Sequence, residues 1–422
     1  METYAQVLNY AIPFFILLML VEEIAARSMG QQINRGVDTI SSLSSGFTNV
    51  IKDVLGLTIV IISYGWFVDK VALTEIKATW LLYVIAFIAM DFSSYWVHRW
   101  SHEINFLWNR HIIHHSSEEF NLACALRQPI SAIFSYFNFL LLPAALLGVP
   151  TEVIAVVAPL HLFAQFWYHT KLINKMGWLE QVLVTPSHHR VHHAMNAEYL
   201  DRNYAAIFIF WDKWFGTYQE ELKEVPPVYG VKRPVLTWNP FLINFQHLVL
   251  LFRDAWRTRN WWDKVRIWFM PTGWRPADVA ERYPVSGVDD VYTYEKYDTR
   301  LSYPLLIWSW IQLSITFVLM LYLFNRIGDL SFTAILLYGL YLFAAVFSFT
   351  TLMDKSSWAL VPEVIKSVLG LVLLWWQNDW FGLSELSIYA VYAVAAYLVI
   401  SPLVVGYFIK TECSSFGRVE SA

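Results

Sequence analysis

Eleven of the chain's twelve histidines fall between His98 and His193, and only His247 lies outside that window. Within it they cluster: His98 and His102; His111, His114 and His115; His161 and His169; His188, His189, His192 and His193. Histidines scattered through an ordinary core do not group this way. A fold for this chain must bring these rings to a place where neutral imidazole is useful. That points to a metal site, because imidazole nitrogen is a good ligand for zinc, iron, copper and nickel.

The spacings sharpen this reading. His98 and His102 are four apart and share one face of a helix. His111, His114 and His115 stand at i, i+3 and i+4, a pattern that predicts three imidazoles on one helical face, and His189, His192 and His193 repeat it. Eight clustered imidazoles, with His169 as a ninth, exceed the four ligands that one zinc takes, so two metals are expected. Nearly pure nitrogen ligation of two metals favours iron and oxygen chemistry over zinc hydrolysis. The zincin pattern H-E-x-x-H is absent, since His102 and Glu103 are followed by Ile104, Asn105 and Phe106. His161, deeper in an apolar run, and His188, about 100° round a helix from His189, stay open between a ligand role and a supporting or packing one. His247 reads as a satisfied packing residue. Neutral imidazoles leave metal charge uncompensated, so carboxylates are expected behind them. Asp91, two helical turns before His98, is read as orienting a histidine or binding a partner; Glu103, Glu118, Glu119 and Asp212 are further candidates. For Glu118 and Glu119 the sequence favours a solvated face. Arg99 and Arg190 are expected to face carboxylates or lipid phosphates.

The solvent around this site follows from composition. Of 422 residues, 57% are hydrophobic and only 15% charged, with 21 Trp, 23 Tyr and 29 Phe. That balance fits a polytopic membrane protein and not a water-soluble domain. A net charge of −4 gives no footing for nucleic-acid binding, and Cys124 and Cys413 make neither a disulfide framework nor a thiolate metal site. The apolar run from about Val7 to Val21 lacks a basic leader and a small-residue cleavage pattern, and reads as a membrane anchor. Further spans are expected at Val54–Val68 and Ala78–Val97. An apolar hairpin is expected over 129–167, turning at Gly148-Val149-Pro150. Four more spans are expected at 304–324, 331–353, 360–377 and 383–409. Those last four carry no histidine and read as packing, anchoring or homodimerisation helices, with Glu363 and Lys366 spaced for an i,i+3 ion pair. Stretches 241–252 and 261–270 mix apolar and aromatic residues with Arg and Lys, as helices in the headgroup layer do, and 271–300 reads as a surface linker. Lys and Arg near span ends place the histidine face in the cytoplasm. The fold class is thus all-α: a polytopic integral membrane helical protein with a cytoplasmic histidine-rich di-iron cap. Its expected parts are N-terminal anchor helices (1–90), a histidine-box catalytic domain (91–220), an interfacial segment (221–300), C-terminal transmembrane helices (301–410) and a tail (411–422).

These residues also carry a family resemblance. The run DFSSYWVHRWSH from Asp91 to His102, HIIHH from His111 to His115, and HRVHH from His189 to His193 resemble the fatty acid hydroxylase and sterol desaturase superfamily of membrane di-iron oxygenases. So does WDKWFGT from Trp211 to Thr217. Within it the chain resembles the alkylglycerol monooxygenase subfamily. That resemblance rests on HEINFLW from His102, HSSEEFNLACALRQ from His115 to Gln128, QFWYHT from Gln165 to Thr170, TPSHHRVHH from Thr185, NPFLINFQHLV from Asn239, and the long C-terminal block. It implies metal ligation by His98, His102, His111, His114, His115, His189, His192 and His193. In relatives with a fourth box, Gln165 takes the first position and His169 the second, so the chain departs from the pattern at Gln165. The glutamate after the first box, here Glu103, is implied in binding a tetrahydropterin reductant. The resemblance thus implies two iron ions, O2, tetrahydrobiopterin and a long-chain alkyl lipid as substrate, hydroxylated at the carbon next to the ether oxygen and releasing a fatty aldehyde. Expected alkyl-channel walls are Phe134–Leu147 and Leu160–Trp167. The alternative is a sterol, fatty acid or carotenoid hydroxylase or desaturase fed by an external redox protein. A metal transporter or sensor is disfavoured, because the histidines sit at span ends and not at mid-membrane.

Overall fold

The structure, a computed structural model, describes residues 2–60, 63–77, 79–135 and 137–413. Ala78 and most of the expected tail, 414–422, lie outside the described residues. The chain is helical, in the order α1 (Glu2–Ser28), α2 (Gly36–Val54), α3 (Tyr64–Val71), α4 (Trp80–Glu103), α5 (Asn105–Trp108), α6 (Ile112–His115), α7 (Leu142–Leu146), α8 (Thr151–Phe163), α9 (Pro186–His193), α10 (Phe210–Phe215), α11 (Pro240–Arg257), α12 (Trp261–Arg266), α13 (Ala277–Arg282), α14 (Tyr303–Arg326), α15 (Phe332–Met353), α16 (Leu360–Gln377) and α17 (Ile388–Phe408). The described strands are two residues each, Ile59–Val60 pairing in parallel with Phe134–Ser135. Six helices are long and apolar enough to cross a membrane: α1, α4, α14, α15, α16 and α17 with its extension to Cys413. The protein is a multi-pass membrane protein.

One expected span is corrected, and the expected hairpin, which turns at Gly148 as anticipated, is built from shorter pieces. The run 54–68 is not one helix: α2 stops at Val54, Gly56 adopts φ +66°, and helix resumes only at Tyr64. Likewise 129–148 holds short helical turns and α7, and the second arm of the expected hairpin is the 13-residue α8. The apolar content of both stretches was read correctly, but turn geometry and Pro143 and Pro150 interrupt the backbone ladder that a single-helix span needs.

The helix that positions the site is α2. Its apolar residues Ile40, Leu43, Phe47 and Ile51 are buried in the largest core cluster, shared with α14, α15, α16 and α17. Its small hydroxyls are buried too, and they bind the segments around the site: Ser42 Oγ accepts from Arg127 Nε at 3.0 Å and Ser45 Oγ accepts the Gln128 N–H at 3.1 Å in the histidine-bearing part, and Ser41 Oγ donates to the Trp238 carbonyl at 2.8 Å in the segment after it. A Cβ at Gly46 would stand 3.2 Å from the Leu126 carbonyl oxygen, so the glycine lets the two backbones approach. A helix buried on both faces must satisfy its polar groups internally, and serine does so at little side-chain cost.

Glu363 and Lys366 form the anticipated pair, with Nζ 2.6 Å from Oε1, both fully buried. Lys366 also donates to Tyr397 and Ser401 on α17 at 3.0 Å each. The pair therefore ties α16 to α17 inside the bundle, where an unpaired charge would be expensive.

Candidate metal centre

His98 and His102 lie on the last turns of α4, His114 and His115 on the single turn α6 with His111 at its N-cap, and His189, His192 and His193 on α9. His169 follows α8. These nine residues come together as two groups: His98, His102, His111, His115 and His192 in one, and His114, His169, His189 and His193 in the other. In each group the candidate ligand nitrogens lie within 4.8 Å of one another. Neither group contains a carboxylate or a cysteine.

The partition cuts across the sequence clusters. From each triplet the i and i+4 rings go to one group and the i+3 ring to the other. His111 and His115 join the five-member group while His114 joins the four-member group, and His189 and His193 join the four while His192 joins the five. The anticipated single face of three imidazoles is corrected accordingly. Between the groups, the His115 and His193 rings stack with centroids 4.3 Å apart.

Within the groups the Nε2 atoms converge. His98 and His111 are 2.9 Å apart, His115 and His111 3.1 Å, His189 and His169 2.8 Å, His193 and His189 3.0 Å, and His193 and His114 3.1 Å. Several Nδ1 atoms point outward to carbonyls: His98 to Tyr204 at 2.6 Å, His192 to Arg202 at 2.9 Å, His169 to Gln165 at 3.0 Å and His114 to Arg127 at 3.3 Å. A carbonyl can only accept, so it fixes the proton on Nδ1 and leaves the Nε2 lone pair facing inward. His102 Nε2 and His192 Nε2 are buried with no hydrogen-bond partner among the described residues. Converging lone pairs and orphaned buried nitrogens are costly unless a cation stands among them, so the residues fit two transition-metal ions.

Electrostatics agree. Burial, followed by neighbouring imidazoles, holds His111, His115, His189, His192 and His193 well below the ordinary histidine value, and burial pushes His169 down to about 4. The rings are neutral at pH 7, as ligands must be.

Carboxylates stand behind the imidazoles. Asp212, raised to about 6 by burial, accepts the N–H groups of Tyr204 and Ala205 at 2.7 and 2.8 Å, and Tyr204 is the residue whose carbonyl orients His98. Asp91 takes His161 Nε2 at 2.7 Å, the N–H groups of Ile207 and Phe208 at 3.0 Å each, and Trp211 Nε1 at 2.9 Å. His161 is therefore oriented by Asp91 and belongs to neither group. Gln165 turns its side chain to His161. His188 lies outside the groups as well, closing a capping box with Thr185 at the start of α9. His247 bonds the Asn105 carbonyl at 2.9 Å. The Glu103 carboxylate pairs with Arg99 at 2.9 Å and remains part-exposed, while its carbonyl accepts the Thr272 N–H at 3.2 Å.

Glu118 and Glu119 are buried, which corrects the expectation of a solvated face. The stretch expected to be a surface linker covers them: Tyr294 OH and the Tyr297 N–H bind Glu118, and Lys296 meets Glu119 at 2.6 Å. Arg190 forms a two-pronged pair with Glu221 at 2.9 and 2.7 Å.

Sequence reasoning missed Asp38 and Arg127. Asp38 Oδ2 accepts from Arg127 Nη2 at 2.7 Å with both side chains 2% exposed, and Arg127 also donates to Ser116 at 2.7 Å. The Arg127 carbonyl is the one facing His114. A lone Asp in a serine-rich stretch gave little warning; only a helical wheel placing it with Ser41, Ser42 and Ser45 could have raised it.

A cavity of about 410 Å³ opens against His102, His115, His192 and His193. Its apolar walls include Trp108, Ile112, Leu250 and Trp274, whereas Leu160–Trp167, expected to line a channel, does not contribute. In the stretch 134–147, the side chains of 134–138 lie outside the described residues.

With this geometry in view, the comparisons with known proteins become specific. A sequence model of the fatty acid hydroxylase family matches residues 83–217, the stretch that holds all nine clustered histidines. An alkylglycerol monooxygenase from Homo sapiens is 33% identical over 88% of this chain and 84% of its own length. The chain belongs to the alkylglycerol monooxygenase family. Alkylglycerol monooxygenases of Xenopus tropicalis and Danio rerio are 34% and 32% identical, over 80% and 83% of their own lengths. No solved structure matches the chain. Family membership makes the protein an oxidoreductase, a membrane monooxygenase.

Buried neutral histidines also predict a pH response. Burial pushes His188 and His247, both outside the metal groups, down to about 4. On unfolding they regain an ordinary value near 6.5, so the unfolded chain binds more protons as the pH falls between those limits. Stability contributed by these groups is present above about pH 6.5 and is lost as the pH falls towards about 4. The melting temperature of the metal-free protein should drop by several degrees between pH 7 and pH 5. A His247→Gln variant should lose less over that interval than the wild type, and an equal loss would contradict the burial of that ring.

Proposed function

We propose that this protein is a di-iron monooxygenase that cleaves the ether bond of alkylglycerol lipids, with tetrahydrobiopterin as reductant. The observation that carries this reading is the pair of adjoining all-imidazole groups, of which four members face one cavity with apolar walls. When bound, two irons would supply activation of O2 and removal of hydrogen from the substrate. His98, His102, His111, His115 and His192 would hold one, and His114, His169, His189 and His193 the other.

The chain's own residues do the rest. The cavity walls hold the alkyl chain, exclude water and fix the carbon next to the ether oxygen against the histidine face. Insertion of one oxygen atom there, with the other leaving as water after uptake of two electrons and two protons, gives a hemiacetal. Its C–O bond to glycerol then breaks, releasing a fatty aldehyde and a glycerol derivative. Glu103 directly follows His102, and its carbonyl holds Thr272; His102 and Thr272 both line the cavity. We assign the Glu103 carboxylate to binding the pterin at this rim. Asp91 acts through His161 and the 207–211 segment as a positioning residue. The basic residues Arg27, Arg35, Lys52, Lys355 and Lys410 support a cytoplasmic histidine face.

The test uses the full chain in membranes, supplied with iron(II), O2 and an isotopically labelled 1-O-alkylglycerol. Tetrahydrobiopterin should produce labelled fatty aldehyde. No aldehyde with pterin, but lipid oxidation with a reduced redox protein, would move the enzyme to the sterol and fatty acid hydroxylase reading. Glu103→Gln should raise the KM for the pterin by about tenfold, the scale of one charge-assisted hydrogen bond, with a smaller change in the KM for the lipid. An unchanged pterin KM would remove Glu103 from the reductant site.

A further inference from the structure

A second cavity, of about 530 Å³, lies between α1, α2 and α14, and nothing in the proposed reaction uses it. Its walls are apolar, including Met19, Leu20, Leu43, Phe47 and Phe317. Its other end is polar, with Glu23, Arg27, Asn34 and Thr39. Much of α1 stays open to its surroundings: only 11% of its most apolar window is buried, against 56% for α15. Two of the three walls belong to candidate membrane spans, and an apolar groove between spans suits hydrocarbon better than water.

The polar end says what the hydrocarbon carries. Glu23 is committed to protein, accepting from Asn34 at 2.7 Å and from Arg27 Nε at 2.5 Å. Arg27 is in the last turn of α1 and its side chain is 78% exposed; its bond to Glu23 is made by Nε, so the terminal nitrogens of the fork can serve another acceptor. A guanidinium edge at the end of a span, above an apolar slot, is complementary to a phosphate with a chain below it.

We propose that this groove is a binding site for one membrane glycerophospholipid, with an acyl chain between α1 and α14 and its phosphate at Arg27. The lipid is a structural ligand separate from the substrate. Its effect reaches the metal centre through the groove's own walls. Beside Glu23 on α1, Glu22 Oε2 accepts the Leu122 N–H at 2.9 Å. Beside Thr39 on α2, Asp38 holds Arg127. Both contacts clamp the segment that follows His114 and His115, so filling the groove fixes the second histidine cluster from outside.

Bound lipid, read by extraction and mass spectrometry of the full chain after size-exclusion in mild detergent, tests this without passing through aldehyde formation. The wild type should retain about one phospholipid per chain. Leu20→Trp, which fills the groove from an exposed position on α1 that lines it, and Arg27→Gln, which removes the phosphate partner at another exposed position, should each lose most of it. Delipidated wild type should bind a short-chain phosphatidylglycerol from micelles, and both variants should bind it more weakly. Equal phospholipid in the wild type and both variants would overturn the site, as would no retained phospholipid. Retention of a neutral alkylglycerol in its place would overturn the assignment of the ligand as a phospholipid.

Discussion

His114→Ala is expected to leave a folded chain that holds one metal ion where the wild type holds two, and to lower aldehyde release by at least about 100-fold. Partners that stand behind a metal ligand typically cost 10–100-fold, and His114 is proposed as a ligand itself. It belongs to the smaller group, with Nε2 3.1 Å from His193 and 3.4 Å from His169. Its loss leaves three imidazoles there and all five in the other group. His188→Ala is the matched control: a neighbouring buried histidine that caps α9 and lies in neither group. It should keep both metals and lose about 1 kcal/mol of stability with its cap. Metal analysis of the purified variants, read beside activity, separates the cases. A His114→Ala protein with two metals and full activity would contradict the assignment of His114 as a metal ligand.

The second large effect is expected far from the sequence clusters. Arg127→Met should destabilise the protein by about 3–5 kcal/mol, the usual cost of stranding one member of a buried ion pair. Asp38 would be left in a 2% exposed position with Ser42 and Ser117 as its hydrogen-bond donors among the described residues. The metal centre would feel the loss, because the same residue's backbone carbonyl meets His114 Nδ1 and its side chain ties down Ser116, next to His115. Metal content should therefore fall along with the melting temperature. The double variant Asp38→Asn with Arg127→Met removes both charges and should recover part of the stability, as a coupled pair requires. Additive losses in that cycle would show that the two side chains do not depend on each other.

Much of this protein was legible from its residues. Nine histidines at chelating spacing, too many for one metal, in a chain too apolar for water, pointed to a binuclear site on a helical membrane protein. The last four spans were also readable, because long unbroken apolar runs have few alternatives. The stretches around 54–68 and 129–148 were not, because a run of apolar residues does not say whether its backbone forms one helix or several short turns. Asp38, Arg127, Glu118 and Glu119 were not legible either: a charge looks solvated in sequence until another segment is seen to cover it.

What the sequence determined by itself was the inventory of candidate ligands, since the clustered histidines could be read directly from their spacing. What only the tertiary structure decided was how they divide. A three-residue step turns a ring about 300° round a helix and a four-residue step about 400°, so the two rings diverge by about 100°, and on α6 and α9 they join different histidine groups. Which group each ring joins depends on where α4, α9 and the segment after α8 are packed, and that packing is set by long-range contacts with α2, Asp91 and Asp212 that no local spacing encodes.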